Sequence, residues 1–157
     1  MNFTLLVIGK TDDDWLQKGI DIYANRLSHY INFDLQVIQS LKNVKNLPGP
    51  VLKQKEGDLI LAKLHPSDFV VLLDDKGKHF TSVEFAGQIQ NYLNAGHKRV
   101  VFIVGGALGF SDEVYNRANA KLSLSKMTLS HQMVRVFFTE QLYRAFTILK
   151  GEKYHHE

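Results

Sequence analysis

The chain has 157 residues, 45% of them hydrophobic, enough for one globular domain with a sizeable core. It contains no cysteine, which excludes disulfides, thiol catalysis and thiolate zinc sites, and no apolar run long enough to span a bilayer. Its net charge of +3 is uneven: residues 1–113 carry 12 Lys/Arg against 13 Asp/Glu, and residues 114–157 carry 7 against 3.

The opening "MNFTLLVIGK" lacks a basic n-region and a small-residue cleavage site, so it reads as a strand over 3–8 and not as a signal peptide. "DDDWLQKGIDIYANRLSHY" predicts a helix. Its acids suit a helix N-terminus, and Trp15, Ile20, Tyr23, Leu27 and Tyr30 recur at helical spacing. "FDLQVI" (33–38) alternates as a strand does. "QSLKNVKNLPGP" (39–50) is linker-like but too short to separate domains, and Pro50 suits the start of a helix running to about Leu64.

"FVVLL" (69–73) and "RVVFIV" (99–104) are continuous apolar runs, as expected of strands covered on both faces. Between them "TSVE" (81–84) is a capping box, opening a helix that carries Phe85, Ile89 and Leu93 and stops at Gly96. A short helix from Ser111 to about Ala120 leads into "KLSLS" (121–125). Residues 132–149 predict the last helix, with Val134, Phe138, Leu142, Ala145 and Leu149 as its buried stripe and Gly151 as its stop. Alternating strands and helices with buried strands predict a single α/β domain with a largely parallel sheet.

Several familiar devices are missing. "GKT" (9–11) lacks the earlier glycine of a phosphate-binding loop, since Thr4 stands there, and three aspartates follow it. "GGALG" (105–109) lacks dinucleotide spacing, and Asp112 and Glu113 occupy the helix start where a pyrophosphate would sit. The seven histidines show no metal-ligand spacing, so no metal is expected, and no G-x-S-x-G elbow supports a hydrolase.

The remaining candidates lie where strands end: "LLDDKGK", "GGALG" and "KLSLS" with the loop after it. In an open α/β sheet ligands sit beyond the carboxyl ends of the strands. Gly105 and Gly106 would let a ligand approach the backbone. Leu73, Leu124, Met127 and Leu129 would form an apolar shelf, suited to a flat hydrogen-bonding group such as adenine without polyphosphate. On spacing alone the plainer reading, turn and strand chemistry, is preferred. The loop 126–131 is odd in its own right. It turns the chain with Lys126, Thr128, Ser130 and His131 and without Gly, Pro, Asn or Asp.

"LLDDKGK", "FIVGGALGFS", "LSLSKMTLSHQMVRVFFTEQLYRAF" and the closing "YHHE" together resemble the 23S rRNA pseudouridine N3-methyltransferase family, the RlmH group of the SPOUT superfamily. The resemblance covers nearly the whole chain and is most specific in the last thirty-odd residues. It implies a SPOUT-type parallel sheet flanked by helices with a C-terminal trefoil knot, a cytoplasmic homodimer, S-adenosyl-L-methionine (SAM) as methyl donor, and a pseudouridine of 23S rRNA in the ribosome as substrate. Carried over motif by motif, it implies cofactor positions at Leu73, Gly105, Leu124, Ser125, Lys126, Met127, Thr128 and Leu129. Two departures stand out. Many members have Pro where this chain has Ser130, and Arg or Lys where it has His156.

The uracil N3–H is weakly acidic, with a pKa of about 9, between those of free Cys and Lys. A sulfonium methyl is already activated, so the enzyme needs mainly positioning and help with one proton. Arg135, His131 and the tail residues Tyr154, His155 and His156 are the candidate catalytic groups. Each has a plainer alternative: an ion pair or phosphate contact for Arg135, a helix-cap neighbour for His131, a frayed end for the tail. After Gly151 the tail is expected to be free to leave the core and reach a neighbouring site. A SPOUT enzyme acting on another RNA such as tRNA, and a non-catalytic ribosome-binding module, are the competing readings.

Overall fold

In the computed structural model, which describes residues 1–156, five strands pair into one sheet. They are β1 (Asn2–Ile8), β2 (Asn32–Ile38), β3 (Phe69–His79), β4 (Arg99–Val104) and β5 (Ala120–Ser123). Every pair is parallel, in the order β2-β1-β4-β3-β5. Parallel neighbours cannot be joined by tight turns and need crossovers. Helices α1 (Asp14–Leu27), α2 (Gly49–Ala62), α3 (Ser82–Asn94) and α4 (Asp112–Arg117) lie in these crossovers, and α5 (Met133–Leu149) follows β5.

The strands alternate inward on both faces. Phe3, Leu5, Val7, Val71, Val100 and Phe102 pack with Phe85 and Ile89 of α3 and with Phe138, Leu142 and Ala145 of α5. Leu6, Val70, Leu72, Val101 and Ile103 pack on the opposite face with Ile60 of α2 and Val114 of α4. The result is a three-layer α/β sandwich, and the two-sided burial explains why β3 and β4 read as unbroken apolar runs. Each fully buried Leu, Val or Phe contributes about 1.5–3 kcal/mol, so the sheet and α5 carry most of the stability.

Local signals behave as their chemistry dictates. Thr81 Oγ1 accepts the Glu84 N–H at 3.2 Å while the Thr81 N–H donates to Glu84 Oε2 at 2.7 Å, completing the capping box of α3. Gly96 and Gly151 take positive φ just past the ends of α3 and α5. Two expectations need correction. Trp15 is 63% exposed, and Leu16 takes its place on the buried face of α1 beside Ile20 and Leu27, which are buried as expected. And β3 does not stop at Leu73. Leu73 and Lys78 both register against Leu122, so residues 74–77 bulge out of the ladder. Gly77 lies so close to β5 that a Cβ there would stand 2.6 Å from the Leu122 nitrogen.

Candidate active site

Because all strands run the same way, the segments leaving them emerge at one end of the sheet. There a cavity of about 680 Å³ opens between three of them. The β3 bulge lines it with Leu73, Asp74, Asp75 and Lys76; the segment after β4 with Gly105, Gly106 and Phe110; the segment after β5 with Leu124, Ser125, Met127, Thr128, Leu129, Ser130 and His131. Leu108 of the segment after β4, Lys53 of α2, Asp112 and Tyr115 of α4 and Val134 of α5 also line it.

The hydroxyl loop is held by its own side chains. Ser123 Oγ donates to the Ser125 carbonyl at 3.0 Å, and Ser125 Oγ accepts the Met127 N–H at 2.9 Å. Ser130 Oγ accepts the Met133 N–H at 3.0 Å, tying down the first turn of α5. Gln132 reaches across to the segment after β1, accepting the Asp12 N–H at 3.0 Å and donating to the Lys10 carbonyl at 3.3 Å. Hydroxyl-to-backbone bonds therefore replace the Gly and Asn chemistry of ordinary turns.

The two glycines face protein in the direction of a side chain. A Cβ on Gly105 would press on the Phe110 ring at 3.1 Å, and one on Gly106 would meet the Glu56 carboxylate at 2.7 Å. Their smallness admits Phe110 and Glu56 first, and only then leaves backbone open to the cavity. Burial pushes the Glu56 carboxyl above its usual range.

Asp74 behaves oppositely. Burial would raise it, but the Lys76 N–H at 3.0 Å, a short hydrogen bond from the Tyr115 hydroxyl, Asp75 and the Lys121 charge together hold it below the usual carboxylate range. The same burial and the same carboxylate push the Tyr115 phenol far up. Asp74 is thus a fixed negative charge and Tyr115 a neutral donor. Nothing in the sequence marked Tyr115, Lys53 or Glu56; Asp74 was visible as the polar end of an apolar strand.

Of the eight expected cofactor positions, seven line the cavity; Lys126 does not, and it is exposed. Of the five expected catalytic residues, only His131 lines it. Arg135 is 1% exposed. Its guanidinium donates to the carbonyls of Ile8 at 2.9 Å, Gly9 at 2.8 Å and His131 at 3.2 Å, and to Thr11 Oγ1 at 3.2 Å, bolting the start of α5 to the end of β1.

The tail is not free. The Glu152 N–H donates to the Thr147 carbonyl at 2.9 Å, and the Tyr30 hydroxyl donates to Glu152 Oε2 at 2.7 Å. That bond leads, ahead of burial, in pushing the Tyr30 phenol up to about 12. Tyr154 donates to Glu140 Oε1 at 2.9 Å and lies edge-on to Tyr143, with the Arg144 guanidinium 4.6 Å from its ring centre. Arg144 also donates to Glu140 Oε1 at 2.6 Å and has Nη1 3.1 Å from His155 Nδ1, while His156 is exposed. Glycine ended the helix, but aromatic and charged partners just past α1 and on α5 captured the residues beyond it. Glu140 is six residues beyond Val134, so the docked tail sits about 9 Å further along α5 than the cavity wall.

The cavity lies within the size range of small-ligand sites. Three acids (Asp74, Asp75, Asp112) against two lysines (Lys53, Lys76), with apolar side chains and loop backbone around them, make a site matched to a cationic ligand without phosphates. Among the described residues no group of three or more His, Asp or Glu is arranged to hold a metal ion, and no helix is long and apolar enough to cross a membrane.

Comparison with known proteins agrees with this architecture. A family model described as "Predicted SPOUT methyltransferase" matches residues 1–155. The chain is 57% identical over 157 residues to a protein of Flavobacterium psychrophilum named ribosomal RNA large subunit methyltransferase H, covering all of both chains. It is 58% identical over 156 residues to the protein of that name from Christiangramia forsetii (99% of each chain), and 54% identical over 157 to that from Parabacteroides distasonis (all of each). With a five-stranded parallel sheet, a cavity at its carboxyl end and similarity from one end of the chain to the other, this protein belongs to the SPOUT methyltransferase family.

Proposed function

We propose that the chain is a SAM-dependent methyltransferase that methylates N3 of a pseudouridine in 23S rRNA, acting as a cytoplasmic homodimer on the ribosome. The single observation that carries the reading is the cavity itself: the strand-end loops surround a net acidic space, in a chain more than half identical to proteins named as large-subunit rRNA methyltransferases. Bound there, SAM would supply an activated methyl group and nothing more. Leu73, Leu124, Met127 and Leu129 would hold its apolar surface, the backbone at Gly105, Ser125 and Thr128 would offer hydrogen bonds, and Asp74 would balance positive charge. The loop 124–132 is the segment the C-terminal trefoil knot would cross, which fits a loop pinned by hydroxyls and Gln132 and not left to flex.

His131 is the residue best situated to accept the N3 proton, because it alone of the five candidates lines the cavity. Arg135 serves by keeping the His131 carbonyl and the first turn of α5 in place. Tyr154, His155 and His156 lie away from their own cavity, so a part in substrate binding would come through the second subunit of the dimer. Ribosomes from cells lacking the gene, incubated with the pure protein and isotopically labelled SAM, should acquire one N3-methylpseudouridine in 23S rRNA. Absence of SAM binding by calorimetry, or label in tRNA only, would overturn the reading. His131→Ala should lower kcat at least tenfold with SAM affinity retained.

A further inference from the structure

We infer that residues 39–55 form a second RNA-contacting surface, a lysine rim that grips phosphates flanking the target nucleotide; the inference rests on the rRNA reading above. The N-terminal two-thirds of the chain is nearly neutral overall, which hides a local concentration. Residues 39–55 hold four lysines, Lys42, Lys45, Lys53 and Lys55, and no acid at all.

The fold carries this segment to the cavity. It leaves β2 at the carboxyl end of the sheet, where the Gly9 N–H donates to the Ile38 carbonyl at 2.7 Å. It arrives at α2 beside the cavity wall: a Cβ on Gly49 would lie 3.6 Å from the Leu108 side chain, and Lys53 itself lines the cavity. Lys45 is four residues from Gly49, so at most about 14 Å of chain separates it from the rim. Leu41, Val44 and Leu47 are half-buried and seat the loop, while Lys42, Lys45 and Lys55 are exposed. Asn43, at φ 58, takes the left-handed conformation and turns the chain between Lys42 and Lys45. Among the described residues none of these three lysines has an ion-pair partner.

The charges therefore separate by depth. Inside the cavity carboxylates predominate; the segment 39–55 carries only cations. A base that is to react must leave its stack and enter the cavity, whereas the phosphates on either side stay outside. A rim of unpaired lysines neutralises those phosphates and fixes the strand's register without reading sequence.

The test compares two double variants of equal charge change by ribosome co-sedimentation across a salt series. Lys42→Gln/Lys45→Gln alters the rim; Lys63→Gln/Lys98→Gln alters exposed lysines after α2 and before β4, at the opposite end of the sheet. The rim variant should flatten the slope of log affinity against log salt by about 1.4, or about sevenfold less loss between 50 and 200 mM salt. KM for ribosomes should rise while kcat and SAM affinity hold. The opposite-end variant should match wild type. Equal slopes and affinities for the rim variant and wild type, or equal losses in both variants, would overturn the inference. Intact ribosome binding without SAM binding would instead remove the enzymatic reading and leave the rim comparison standing.

Discussion

Arg135→Met separates a structural from a catalytic guanidinium. Methionine retains much of the buried volume and flexibility of the side chain but removes all four hydrogen bonds, to Ile8, Gly9, Thr11 and His131. A buried acceptor left without its donor costs about 1–3 kcal/mol. Gly9 and His131 lie near enough to solvent to recover water, which puts each bond toward the low end. The set then amounts to about 3–4 kcal/mol. For a chain of this size each kcal/mol moves Tm by about 2–4 °C, so the variant should melt about 10 °C lower yet remain folded at 25 °C. Arg135→Lys should recover about half of the loss. Calorimetric melting and single-turnover methyl transfer, both read well below the lowered midpoint, check this. Methyl transfer should weaken through looser SAM binding, since the His131 carbonyl and the start of α5 lose their anchor. An unchanged Tm with methyl transfer reduced a hundredfold would refute the reasoning and make the guanidinium a catalytic group.

Gly77→Ala places a Cβ 2.6 Å from the Leu122 nitrogen, where only backbone could yield, and should cost about 2–3 kcal/mol in urea unfolding; a loss under about 0.5 would show that the bulge adapts. Burial would raise Asp68, but its bonds from Arg99 at 2.5 and 2.9 Å and from the His65 N–H at 2.7 Å outweigh that and hold it below the usual range. Its contribution is therefore present above the unfolded value of about 4 and is lost as pH falls through the lower folded value. Asp68→Asn should flatten stability against pH below about 4, and an unchanged acid limb would count against the pairing. Tyr154→Phe removes the bond to Glu140 and should lower stability by about 1 kcal/mol, with SAM affinity unchanged by calorimetry; an unaltered Tm would mean that the tail is not docked in solution.

The cavity was largely legible beforehand because its parts are local. Leu73 ends an apolar run, Gly105 and residues 124–129 come directly after strands, and parallel strands deliver their outgoing loops to one end of the sheet. Tyr115, Lys53 and Glu56 were not legible, since each lies on a helix face and joins the site only through packing between α2, α4 and the β4–α4 segment. The docking of the tail is not legible in the sequence, because its partners are remote. Gly151 does end α5, but the partners that recapture the chain, Tyr30, Glu140 and Arg144, lie on or beside helices already passed.

The order of residues alone determines the alternation of strands and helices, the capping box at Thr81, the stops at Gly96 and Gly151, and the two-sided burial of β3 and β4. These depend on neighbours within a few positions and on hydrophobic period. Tertiary structure alone decides that Arg135 is a bolt between β1 and α5, that Gly77 and Gly106 are small because of Leu122 and Glu56, and that a neutral-seeming N-terminal portion presents a cationic rim. Those roles belong to pairs of residues far apart in the chain, and no local spacing records what a side chain will meet once the sheet has closed over it.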